Sequence, residues 1–152
     1  MTDKTKITVT KLDAARRQLR TAIRLWFNDG DPVAIHTLAY AAYEIIHVVS
    51  KKRNRTRLLV FDSPMIKNEY RSAWNKKIKE HANFFKHANI DPDGSIAFVP
   101  ALSILFLTAA TAGIRLLSER PSIEEFAFVT WFFYHRPDWL NPRFRKVVAS
   151  EN

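Results

Sequence analysis

Apolar residues recur every three or four positions along most of the chain, a spacing that predicts helices rather than strands. Leu12, Ala15, Leu19, Ala22, Ile23 and Trp26 fall on one helical face, while Arg16, Arg17, Arg20 and Arg24 gather on another. Thr10 followed by Asp13 resembles a capping box, so a first helix is expected from Thr10 to about Asn28, with Gly30 stopping it. Asp31-Pro32 then supplies an N-cap and a proline at the first helical position, opening a second helix to about Lys51. Between Asp31 and Lys51 the only charge is Glu44, so this helix is expected to be surrounded by protein.

Further along, Lys51-Lys-Arg-Asn-Arg-Thr-Arg57 shows no apolar period and reads as a loop or frayed helix end. Leu58 to Phe61 is a short apolar patch, expected to be extended. Ser63-Pro64 repeats the cap-plus-proline signal for a third helix to about His87. Asp91-Pro-Asp-Gly94 is a turn, Ser95 to Val99 an extended stretch, and Pro100 opens an apolar fourth helix ending near Glu119. Ser122 with Glu125 is a second capping box, starting a fifth helix to about His135. The pattern therefore predicts an all-α, largely antiparallel bundle of about five helices with one or two short extended segments. Residues 1–9 are expected to be a flexible N-terminus, 10–140 the bundle, and 141–152 a basic tail.

Composition sharpens this picture. The 152 residues, 47% of them hydrophobic and 26% charged, suit one globular domain. Cysteine is absent, which excludes disulfides, thiolate metal sites and cysteine nucleophiles. Gly94 to Ile114 runs twenty-one residues without a charge, but Pro100 and the hydroxyls of Ser103, Thr108 and Thr111 favour a core helix over a membrane span. Residues 1–17 lack the apolar run of a secretory signal, so the expectation is a cytoplasmic protein with no membrane association. No Gly-rich phosphate loop, Gly-x-Ser-x-Gly elbow or His-Glu-x-x-His pattern occurs.

Two constellations carry candidate chemistry. On the second helix His36, Tyr40, Tyr43, Glu44 and His47 form one stripe, opposite Ile35, Leu38, Ala42, Ile45 and Val49. Burying a lone carboxylate is costly, so the stripe needs partners. It reads as a hydrogen-bonded interior, as a polar cleft in which Glu44 and His47 titrate a substrate, or as a metal-dependent centre built on His36, Glu44 and His47. On the third helix His81 lines up with Trp74, Ile78 and Phe85, an apolar stripe. His87 groups instead with Lys76, Glu80 and Asn83, beside Lys86. An imidazole can take a 2′-hydroxyl proton or protonate the leaving oxygen while a lysine stabilises phosphorane charge, with no metal or other cofactor required. The alternative is a solvated polar face at a helix end.

Ala82-Asn-Phe-Phe-Lys-His87 resembles the signature of the HEPN superfamily, in which arginine is followed by a polar residue, often asparagine, and by histidine a few residues on. Asn83 and His87 match; the arginine position is Ala82. The resemblance implies a small all-helical up-down domain acting as a metal-independent endoribonuclease or an RNA-binding module, commonly as a homodimer. It places catalysis at His87, with Asn83 positioning and Lys86 as the cation.

Charge supplies the last element. There are 24 Lys+Arg against 15 Asp+Glu, a formal net charge of +9, and residues 1–60 hold twelve of the basic and five of the acidic side chains. Such asymmetry favours a polyanionic partner. The expected nucleic-acid footprint is Arg16, Arg17, Arg20 and Arg24 with Lys51, Lys52, Arg53, Arg55 and Arg57. An acidic protein partner of a noncatalytic interaction domain is the alternative. The aromatic run from Phe126 to Tyr134 is expected to serve packing.

Overall fold

The computed structural model describes residues 5–55, 60–117 and 119–139. Among them are five α-helices and no strand: α1 Lys11–Phe27, α2 Pro32–Lys52, α3 Asn68–Lys86, α4 Ser103–Leu116 and α5 Ile123–His135, with 3-10 turns at Pro100–Leu102 and Pro137–Trp139. The chain is a small all-α bundle. Both sequence-predicted capping boxes form, Thr10 with Asp13 and Ser122 with Glu125, and the Asp31 carboxylate accepts from the Ala34 N–H at 2.9 Å.

Helix α2 is the axis of the core. Nine of its residues are buried, on both sides of the helix, because α1 and α4 pack along it and α3 lies against it. Gly113 of α4 lets the two backbones approach; a Cβ there would lie 2.4 Å from the Ile46 side chain. Helix α2 is the one described helix long and apolar enough to cross a bilayer, yet half of that stretch is buried within the protein. The uncharged run from Gly94 to Ile114 is divided between an extended segment, a 3-10 turn and the first part of α4. At fourteen residues α4 is about 21 Å long, short of a bilayer core.

Several boundaries depart from expectation. The left-handed residue after α1 is Asp29, at φ 49°, and not Gly30, whose N–H closes the turn on the Leu25 carbonyl. Ser63-Pro64 does not open α3. Its hydroxyl accepts from the Met65 N–H and its carbonyl from the Ile66 N–H, so the capping chemistry is spent in one isolated turn, and α3 begins four residues later at Asn68. Val60 and Phe61 are buried in a bend and turn rather than an extended patch, while Arg57, Leu58 and the predicted 141–152 tail lie outside the described residues.

Candidate functional site

The polar stripe of α2 meets α3 and the segment Val60–Asp62 that precedes it. Contacts at successive levels, Lys79 at Phe61 below and Lys86 at Tyr40 and Phe85 at His36 above, set α3 antiparallel to α2. The connecting segment is pinned from both sides. Tyr43 accepts the Val60 N–H, the Trp74 indole donates to the Val60 carbonyl at 3.1 Å, and Asn75 exchanges a pair of hydrogen bonds with Asp62 at 2.9 and 3.1 Å. Those bonds satisfy backbone groups that burial would otherwise orphan. They also hold Asp62, at φ 56°, toward α2.

Asp62 Oδ2 lies 3.3 Å from Lys51 Nζ and 3.8 Å from His47 Nε2. The Asn75 hydrogen bond, followed by Lys51, holds the Asp62 carboxyl below the usual range. His47 is buried, and burial, reinforced by Lys51, pushes its imidazole below the ordinary value despite Asp62, so the ring is neutral at pH 7. Its Nδ1 has no hydrogen-bond partner among the described residues. One turn away Tyr40 donates to Glu44 at 3.2 Å; burial, then the Glu44 charge, raises the Tyr40 phenol. Burial also holds Tyr43 up at about 12, so both phenols stay protonated.

Two lysines of α3 close the seam. Lys79 Nζ sits 4.5 Å from the Phe61 ring centre and Lys86 Nζ 4.9 Å from that of Tyr40. Asn83 lies four residues after Lys79 and three before Lys86, on the same face of α3. The seam thus presents Lys51, Lys79 and Lys86 around Glu44, the neutral His47 and Asp62. Such a set can accept an anion and move a proton.

Asn83 and His87 are exposed, and among the described residues no hydrogen bond, ion pair or ring contact joins either to Glu44 or His47. His87 is the C-cap of α3, its N–H bonded to the Asn83 carbonyl. Ala82, by contrast, is the one buried residue of α3 and faces the core, where an arginine would have to bury its guanidinium. His36 does not belong to the seam's chemistry. Eleven positions from His47, it lies about 16 Å away along the helix. Its Nδ1 is 3.0 Å from Ser103 Oγ, its ring packs against Phe85, Phe98 and Phe106, and burial pushes it down to about 4. His36, Glu44 and His47 therefore do not meet at one point, and no group of three or more potential metal ligands occurs among the described residues. His81 sits in the same aromatic cluster, bonded to the Ala97 carbonyl at 2.9 Å.

The expected basic footprint divides. Arg16 lies 3.4 Å from Glu119 and 4.0 Å from the buried Glu125, and donates to the Arg120 carbonyl; Arg24 forks onto Glu124. Arg20 turns back to the Arg16 carbonyl, leaving Arg17 exposed on that face. Lys52, Arg53 and Arg55 are exposed beside the seam, at and beyond the end of α2. Sequence reasoning missed Asp62 and Lys79. The spacing Lys79, Asn83, Lys86 was the available signal for the lysine; nothing local marks Asp62, whose position depends on Asn75.

Comparisons with protein-family models, curated proteins and solved structures find no match to this chain.

Proposed function

We propose that this protein binds RNA along the α2–α3 seam, using Lys51, Lys79 and Lys86 with Lys52, Arg53 and Arg55 as phosphate contacts. What carries the reading is the sorting of cations: Arg16 and Arg24 of α1 are tied to carboxylates of the α4–α5 connection and α5, and Lys77 of α3 to Glu80, whereas Lys79 and Lys86 rest on ring faces with no carboxylate within ion-pair distance among the described residues. A phosphate brought to Lys79 or Lys86 displaces no existing salt bridge. RNA is favoured over an acidic protein surface because the lysine face also exposes Asn83 and His87, the amide and imidazole suited to a 2′-hydroxyl and its phosphodiester. The likeness to the HEPN signature belongs to this proposal, as does a homodimer.

The same exposure favours a second reading, metal-independent cleavage, with His87 in proton transfer, Lys86 countering phosphorane charge and Asn83 positioning. Incubating the full chain with single-stranded RNA in EDTA tests both. Retention of RNA that weakens steeply with salt supports binding. Cleavage lost in His87→Ala supports catalysis, whereas intact RNA, or cleavage unchanged in that variant, removes it. Absence of RNA retention at physiological salt, with an acidic protein retained instead, overturns the binding reading.

A further inference from the structure

A second concave site lies at the N-terminal end of α2, where the end of α1, the start of α2, the start of α4 and α5 at Trp131 come together. It is a cavity of about 420 Å³, within the range of small-molecule sites, with Trp26, Phe27, Trp131, Pro32 and Pro100 among its walls and Asp29 and Ser103 as polar groups. The aromatic walls are mutually steep. Trp26 meets Trp131 at 70° with ring centres 5.7 Å apart, and Phe27 meets Trp131 at 86° and 6.1 Å. Phe27 remains 43% exposed, so the corner holds apolar surface that folding alone has not covered.

Asp29 gives the corner its sign. It occupies the left-handed position after α1, where glycine or asparagine is the usual choice, and its carboxylate makes no hydrogen bond or ion pair among the described residues. The end of α1 already carries the negative end of a helix dipole, so a further negative charge there is unfavourable until a cation joins it. The adjacent start of α2 does not need Asp29, because Asp31 caps it. Nearby Arg24 is committed to Glu124 and offers no counter-charge.

We infer that this corner binds a small alkylated ammonium ion, held by the aromatic walls and the Asp29 carboxylate. Ring faces attract such cations through the quadrupole, and alkyl groups on nitrogen cover the apolar surface that Phe27 leaves exposed. The three rings pack edge to face against one another, so a ligand meets their outer surface; a flat nucleobase finds no parallel pair to stack between, whereas a compact, rounded group can rest on that surface. Ser103, whose Oγ is bonded to His36 at the inner end, leaves the hydroxyl with further hydrogen-bonding capacity for a polar substituent on the ligand.

The test uses choline as the probe against 3,3-dimethylbutan-1-ol, its uncharged isostere, on the full chain at pH 8, following tryptophan fluorescence and heat of binding. Choline is expected to bind saturably and at least about tenfold more tightly than the isostere. Asp29→Asn, which keeps a residue at ease with positive φ, is expected to weaken choline about tenfold without shifting the thermal midpoint. Trp131→Leu is expected to remove binding, with circular dichroism confirming the fold. Equal binding of the isostere, choline affinity unchanged in Asp29→Asn, or displacement of choline by a nucleoside monophosphate but not by tetramethylammonium would each overturn the inference.

Discussion

The α1–α5 and α2–α3 seams both set basic side chains beside acidic ones, with different results. At the first, Glu119, Glu124 and the buried Glu125 meet Arg16 and Arg24 at the N-terminal end of α5, so the charges hold two helices together. At the second, Asp62 is bound chiefly by Asn75 and Lys51, while Lys79 and Lys86 lie over rings. Burial separates the outer helices in the same way: α3 buries a single residue, Ala82, against four in α1 and three in α5. A net charge therefore does not map a binding face. Lys79 and Lys86 are the informative cations, because they rest on rings, while Lys51 joins them at the seam although it shares Asp62.

The largest expected effect comes from opening the first seam. Glu125→Ala removes the reciprocal half of the α5 capping box and leaves Arg16 a weaker set of partners, at a cost of about 2–3 kcal/mol in urea unfolding. RNA affinity should stay within about twofold. An affinity loss matching the Lys79 and Lys86 variants would erase the distinction between the seams.

A comparable loss is expected on acidification. His36 is pushed down to about 4 in the fold, and an unfolded imidazole titrates near 6.5. Over that window the unfolded chain binds the extra proton, so stability is full above pH 6.5 and falls as pH drops toward 4, by up to about 3 kcal/mol. His47 is depressed in the same direction and adds to the slope. The lowered carboxyl of Asp62 acts below this range, near and under pH 4. His36→Gln should flatten the pH 4–6.5 limb measured by urea unfolding; an unchanged limb would assign it elsewhere.

Smaller still is Tyr43→Phe, which leaves the buried Val60 N–H without its acceptor and should cost about 1–2 kcal/mol. Because Val60 leads into Asp62, the same change should also loosen the second seam and weaken RNA binding. Stability lost with RNA binding intact would show that the pinned segment serves packing alone.

The helices were largely legible in the sequence because their determinants are local. Thr10 with Asp13, Asp31-Pro32 and Ser122 with Glu125 cap the helices they were expected to cap. The start of α3 was not, because Ser63 satisfies a turn as readily as a helix and only tertiary contacts decide. The α2 stripe was recognisable as a unit, but its partition was hidden: His36 belongs to an aromatic cluster with Ser103, His47 to Asp62. Helical spacing could not show that Arg16 and Arg24 would meet acids a hundred residues away. For the same reason it could not pair Lys86 with Tyr40.

The most direct measurement is the slope of log affinity against log salt for single-stranded RNA, compared between the native chain, Lys51→Ala/Lys79→Ala/Lys86→Ala and Arg24→Ala. Each phosphate contact contributes about 0.7 to that slope. The account predicts a slope shallower by about 2 in the lysine variant and unchanged in the arginine variant, with both thermal midpoints within about 3 °C of native. A shallower slope in Arg24→Ala, with the lysine variant indistinguishable from native, would contradict it.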